Sequence, residues 1–243
     1  MGGITRNSSA AGTEVLEVEA VLFDFEGTLV NFQWQLQPAV EESLAVLEAV
    51  GLKREWYGPR PNYASIYNDT LRFCREGRGQ AAGGRVMDII DAIYDKYDDD
   101  AESRWSLYPD TLSMLSELGE HGLPMGLVSN IGKKALRKAM DRLALSDRLA
   151  VVISRNDVEQ LKPDAGGLTQ AAAALGVNPS HTIFIGDSRK DVVAARRAGM
   201  LAGFLTGGEE SPQTLTGNPA DIEINRLSEL PPRLARMISP SVK

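Results

Sequence analysis

Cysteine and histidine are nearly absent from this chain. Of 243 residues, one is cysteine and two are histidine. The lone Cys74 excludes an intrachain disulfide and permits a reducing compartment. With so few soft ligands there is no clustered site of the kind zinc takes. Long apolar runs are absent too, and none approaches the roughly 20 residues that cross a bilayer. Met1 to Thr13 are small and polar, lack the apolar segment of a secretory leader, and are expected to form a flexible tail. A cytoplasmic location is expected. Basic charge is in deficit, with 26 Lys and Arg against 33 Asp and Glu and a formal net charge of -7. Nonspecific nucleic-acid binding needs the opposite balance, so neither nucleic acid nor membrane is expected as a partner.

What is present suits a folded chain. Hydrophobic residues make up 43% and charged residues 24%, ordinary values for a globular protein. The length allows one large domain, or a core with a smaller insert. Val18 to Phe25 is a short apolar run closed by Gly27 and reads as a buried strand. Similar runs lie at Pro124–Ser129, Leu149–Ser154 and Thr182–Gly186, with weaker ones at Leu201–Leu205 and Asp221–Ile224. Helical patterns fall between them, at Thr111–Leu118, Lys133–Leu143, Asp164–Leu175 and Asp191–Ala198. This alternation predicts an α/β fold, a Rossmann-like parallel sheet covered on both faces.

One stretch interrupts the alternation. Between Gln33 and Trp105 no strand is evident. Val40, Leu44, Leu47 and Val50 share a helical face, as do Ile66, Thr70 and Phe73, and then Val86, Ile89, Ile90, Ile93 and Tyr97. Gly77, Gly79, Gly83 and Gly84 separate the last two. The expected division is an α/β core from 14–32 and 106–232, a helical cap from 33–105, and tails at 1–13 and 233–243.

Chemistry is expected beyond the carboxyl ends of the strands, where ligands bind in open parallel sheets. Asp24 ends the first strand, with Glu26 two residues on. Ser129 and Asn130 end the second. Gly186, Asp187 and Ser188 end the fourth, with Asp191 one helical turn later, and Lys162 lies in a turn before a helix. Carboxylates, a hydroxyl and an ammonium at one sheet edge can hold a divalent metal and a phosphoryl group.

These segments resemble the four motifs of the haloacid dehalogenase-like superfamily. Asp24-Phe25-Glu26-Gly27-Thr28-Leu29-Val30 resembles the first, Ser129-Asn130 the second, Leu161-Lys162-Pro163-Asp164 the third, and Gly186-Asp187-Ser188-Arg189-Lys190-Asp191 the fourth. The helical insert resembles the cap of the phosphoglycolate phosphatase-like subfamily. The resemblance implies a phosphohydrolase for small phosphorylated metabolites, with magnesium as cofactor. It makes Asp24 the nucleophile that carries an aspartyl-phosphate, and Glu26 the acid/base residue. Thr28, Ser129, Asn130 and Lys162 would bind phosphate, and Lys162 would also steady the nucleophile. Asp24, Asp187, Asp191 and the backbone carbonyl of Glu26 would face the metal.

Position 26 departs from the family pattern, which has aspartate there. Glutamate keeps the acid but adds a methylene, so a competent phosphatase, a slow one and a phosphate-binding or regulatory protein all remain open. Lys53 is the main candidate for a phosphonatase-type cap lysine. Trp34, Trp56, Tyr63, Tyr67 and Arg72 are candidate cap or hinge contacts. His121 and His181 are expected at the surface and Cys74 as a small buried side chain. Asp98-Asp99-Asp100 is expected to be a solvated helix end.

Overall fold

The computed structural model describes residues 17–78 and 85–237. Six strands form one parallel sheet in the order β3-β2-β1-β4-β5-β6. They are β1 (Ala20–Phe23), β2 (Met125–Val128), β3 (Val151–Ile153), β4 (Thr182–Gly186), β5 (Leu201–Leu205) and β6 (Ile222–Ile224). Strands β1, β2, β4 and β5 are buried at every position, which is why they read as continuous apolar runs. Successive side chains leave on opposite faces. Val21, Phe23, Ile183 and Ile185 enter one apolar cluster, and Leu22, Phe184, Ala202 and Phe204 enter the other.

Helices α4 (Thr111–Glu120), α5 (Lys133–Arg142) and α8 (Leu230–Leu234) pack into the first cluster. Helices α6 (Gly166–Leu175) and α7 (Arg189–Ala198) pack into the second. Helix α7 begins two residues earlier than the apolar pattern suggested. Ser188 is its N-cap, and Asp191 returns a carboxylate oxygen to the Ser188 N–H at 3.1 Å, a capping box. Its end is set by Gly199, left-handed at φ 73°.

Between β1 and α4 the described residues form three α-helices, α1 (Leu36–Ala49), α2 (Tyr63–Arg75) and α3 (Val86–Glu102), with a short 3-10 turn at Arg54–Tyr57. Among the described residues of 33–105 there is no strand. The expected apolar faces turn inward: Leu44, Leu47, Ile66, Phe73, Ile90 and Tyr97 are buried. They join the same cluster as one face of the sheet, so packing is continuous from sheet to cap. Gly79, Gly83 and Gly84 lie outside the described residues, as do 1–16 and 238–243.

Two expectations need correction. Residue 234 is not part of a tail, because Leu234 closes α8 fully buried. The acidic run is not a uniformly solvated helix end. Asp99 and Asp100 are exposed, but Asp98 is only 1% exposed. It faces the fully buried Arg155, which follows β3, at 2.7 Å. Helical geometry explains this: Asp91, Asp95 and Asp98, at spacings of four and three, share one face of α3, and Arg155 contacts all three.

Candidate active site

Strands β1 and β4 are neighbours on either side of the point where the sheet order reverses, the place where parallel sheets form a ligand crevice. Asp24 follows β1 and Asp187 follows β4. The chain N–H of Phe25 donates to Asp24 Oδ1 at 2.7 Å. Lys162, on the loop between β3 and α6, brings its Nζ to 2.7 Å from Asp24 Oδ1 and 2.8 Å from Asp191 Oδ1. All three side chains are at least nine-tenths buried.

The second-motif residues support this lysine. The Asn130 amide accepts from the Lys162 N–H at 3.0 Å and donates to the Lys162 carbonyl at 3.4 Å. The Ser129 hydroxyl accepts the Ile131 N–H at 3.3 Å. Thr28 sits against Asp187, to whose Oδ1 its hydroxyl donates at 3.2 Å. The other Asp187 oxygen accepts the Glu209 N–H. Two glycines make room for that carboxylate. A Cβ at Gly27 or Gly208 would fall 2.0 or 2.2 Å from Asp187 Oδ2, and Gly27 has φ 82°, a conformation suited to glycine.

Asp24, Asp187 and Asp191 each offer an oxygen within 4.8 Å of the others. Asp191 Oδ1 is buried and meets the Lys162 ammonium at 2.8 Å. Three hard carboxylate oxygens grouped in this way suit magnesium. Burial pushes the Asp24 carboxyl up to about 6, with Lys162 opposing and Asp191 adding to the rise. Asp187 is pushed up to about 8, by burial and then by Asp191. Burial acts upward on Asp191 also, but Lys162, Lys190 and the Ser188 hydroxyl outweigh it and hold that carboxyl low. One anion of the three is thus secured by cations, while the other two are raised by burial and by their negative neighbour.

Glu26 lies apart from this cluster. Its Oε1 accepts the Gln33 N–H at 2.5 Å, the Trp34 N–H at 2.7 Å and the Trp105 indole N–H at 2.8 Å. These donors belong to the two chain crossings between sheet and cap, where the Glu26 carboxylate is held. Burial pushes it up to about 7, against the pull of the three hydrogen bonds.

Several residues at the site were not singled out in the sequence. Lys190 pairs with Glu209 and lies 5.7 Å from the Tyr63 ring. Burial opposes its charge, yet Tyr63, Glu209, Asp191 and Asp187 around it hold it protonated. Its only signal was its place beside Asp191 in the fourth motif. Trp105 and Arg155 carried no motif signal. Of the cap candidates, Tyr63 reaches the site, where its hydroxyl accepts from Asn130 Nδ2 at 3.3 Å, and Trp34 packs on Tyr63 with ring centres 4.9 Å apart. Trp56 and Arg72 pack on Phe73 instead, and Tyr67 on Tyr94. Lys53 is exposed and, among the described residues, pairs with Glu55 alone. His121 is exposed, and His181 and Cys74 are half-buried.

Comparison with known proteins agrees with this arrangement. The family model described as haloacid dehalogenase-like hydrolase matches residues 21–203. The chain belongs to that family. The four segments resembling haloacid dehalogenase-like motifs therefore meet at one sheet edge in a member of the family. Its phosphoglycolate phosphatase relative from Escherichia coli (strain K12) is 29% identical over 237 residues, covering 90% of this chain and 93% of the relative. That of Salmonella choleraesuis (strain SC-B67) is 30% identical, covering 89% and 92%. The chain is thus a phosphohydrolase of the phosphoglycolate phosphatase type. Among solved structures, a haloacid dehalogenase phosphatase from Thermococcus onnurineus superposes with a TM-score of 0.59 at 24% identity, covering 91% of this chain and all of that one. A family hydrolase from Deinococcus radiodurans R1, solved with bound phosphate and sodium, gives 0.59 at 19% identity, covering 93% and 100%. These two likenesses are of fold.

Proposed function

We propose that this protein is a magnesium-dependent phosphatase that hydrolyses small phosphate monoesters through an aspartyl-phosphate on Asp24. The observation that carries the proposal is the buried Lys162 ammonium, 2.7 Å from Asp24 and 2.8 Å from Asp191, beside a third carboxylate on Asp187. That is a nucleophile held by a cation next to a set of oxygens fit for a hard metal. Magnesium would be held by Asp24, Asp187 and Asp191, and when bound it neutralises charge on the phosphoryl oxygens.

The remaining steps belong to the chain. An Asp24 oxygen attacks phosphorus in line, and the ester oxygen leaves with the bonding pair and takes a proton. Water then attacks phosphorus, releasing phosphate and restoring Asp24. Lys162 orients Asp24, and Lys162 and Lys190 together favour the anionic phosphoryl group. Glu26 is proposed as the group that gives the proton to the leaving oxygen and takes one from water, and a carboxyl near 7 suits both tasks. The relatives' names make phosphoglycolate the first ester to try. A small phosphorylated metabolite as partner and a cytoplasmic setting belong to the same reading; among the described residues no helix is long and apolar enough to cross a membrane.

A second reading has one observation in its favour. Glu26 Oε1 is already engaged by three hinge donors, which fits a phosphate-binding protein of low turnover. A panel of small phosphate esters, assayed with magnesium and with chelator, separates the two. Hydrolysis that chelator abolishes is expected. Hydrolysis unaffected by excess chelator removes the metal from the proposal, and inertness toward every ester favours the second reading.

A further inference from the structure

The cap reaches the loop of Lys162 through a side chain that no motif contains. Asn68 lies on α2, and its amide pairs with the backbone of Leu161. Its Nδ2 donates to the Leu161 carbonyl at 2.9 Å, and its Oδ1 accepts the Leu161 N–H at 2.8 Å. Asn130, at the end of β2, treats the next residue in the same way, with contacts of 3.0 and 3.4 Å to the Lys162 backbone. Two consecutive residues are therefore gripped by two amides, one from the core and one from the cap. Tyr63, also on α2, meets Asn130 through its hydroxyl at 3.3 Å. One helix thus touches both halves of the grip, at Asn68 directly and at Asn130 through Tyr63.

We infer that Asn68 is a positioning residue: docking of α2 on Leu161 sets Lys162 at its 2.7 Å contact with Asp24. Asparagine suits this task because its side-chain amide copies a peptide group and satisfies a donor and an acceptor at once. Among the described residues the Leu161 N–H is bonded by Asn68 alone, whereas the carbonyl also accepts the Asp164 N–H of its own loop at 3.0 Å. A free loop would let the ammonium wander, and displacement of a catalytic group by about 1 Å can cost on the order of 100-fold in rate. Lys162 is so coupled to the cap as well as to the sheet. The nearby ion pair of Arg75, on α2, with Glu159 is more than half exposed on both sides and contributes little.

This inference rests on the proposed phosphatase reading for its kinetic arm only. The test uses the full chain carrying Asn68→Ala and, separately, Asn68→Asp, which keeps an acceptor for the Leu161 N–H but loses the donor. Arg75→Ala is the control. Hydrogen exchange of Leu161 and Lys162 is measured alongside calorimetric binding of inorganic phosphate with magnesium. Both Asn68 variants are expected to exchange faster at Leu161 while α2 stays protected. Phosphate affinity should fall about tenfold and kcat about 10- to 100-fold, with KM moving less than about threefold. Arg75→Ala should match wild type. If Leu161 exchange rises in Asn68→Asp with α2 intact, yet phosphate affinity and kcat stay at wild-type values, Asn68 is only a packing contact and the inference is overturned. It is equally overturned if Arg75→Ala reproduces the losses, or if both Asn68 variants lose protection along the whole of α2. Should wild type hydrolyse no ester, the exchange and phosphate arms still decide the role of Asn68, while the phosphatase reading fails separately.

Discussion

Replacing Arg155 with methionine should destabilise the protein severely, although Arg155 is in no recognisable motif. Its guanidinium is 1% exposed and lies 2.7 Å from Asp98, which is also 1% exposed. It further contacts Asp91 and Asp95 and donates to the Asn130 carbonyl at 3.3 Å. Asp91 and Asp95 have 29% and 51% side-chain exposure, so water can replace the cation there and their share is small. Asp98 would keep the Trp34 indole N–H at 2.9 Å and the Gly132 N–H at 2.8 Å but lose its only cation among the described residues. Removing one partner of a buried pair costs about 3–5 kcal/mol, and we take about 3 kcal/mol for this partly hydrogen-bonded acid. At about 2–4 °C per kcal/mol for a chain of this size, the midpoint should fall by roughly 6–12 °C. The loss should also depend on pH. Burial already holds the Asp98 carboxyl above its ordinary value even beside Arg155, and without the cation it rises further. A carboxyl whose folded pKa exceeds its unfolded value contributes stability in full below the unfolded value, and loses it as pH rises toward the folded one. The deficit of Arg155→Met should therefore be larger at pH 8 than at pH 5. Adding Asp98→Asn should recover much of it, since no buried charge then lacks a partner. Urea unfolding of wild type, both single variants and the double variant in chelator measures this. A loss under about 1 kcal/mol at pH 8, a deficit independent of pH, or strict additivity would refute the reasoning.

Asp24→Asn should leave the fold intact and abolish turnover, because the amide is a very poor nucleophile; retention of more than a few per cent of wild-type activity on any ester contradicts this. Glu26→Gln keeps an acceptor for the hinge donors but cannot shuttle a proton, so its midpoint should stay near wild type while kcat falls about 100-fold, and an unchanged kcat removes Glu26 as acid/base. Glu26→Asp is too short to meet all three hinge donors and should lower the midpoint, as thermal scans will show. Glu102 faces Lys138 and Arg142, and its hydrogen bond from Lys138 leads in holding its carboxyl below the ordinary value. That stability is present above the unfolded pKa and lost as pH falls through the folded one, so Glu102→Gln should be more destabilising at pH 7 than near pH 3 in chemical denaturation; an equal effect at both would count against the ion pair.

The sequence by itself determined the sheet, the helical interruption and the chemical inventory of the site. Buried parallel strands must be apolar throughout, and ligand crevices lie at their carboxyl ends, so the places of Asp24, Asn130 and Asp187 in the candidate site were legible from their positions after apolar runs. Lys162 and Asp191 were legible from local motifs. What no local pattern encodes is direction. Glu26 sits in the first motif, yet its side chain reaches donors at residues 33, 34 and 105, two of them near in sequence and one far away. Asp98 looked like part of a solvated acidic run because its partner, Arg155, is 57 residues later. Thr28 turned to Asp187, and Asn130 to the backbone of Lys162, through contacts that exist only after the strands are set side by side. Asn68 had no sequence signal at all, because an asparagine on a helix surface is ordinary until the chain brings the peptide N–H of Leu161 against it. Periodicity reports which face of an element is buried, whereas only tertiary packing decides what that face, and each polar group on it, meets there.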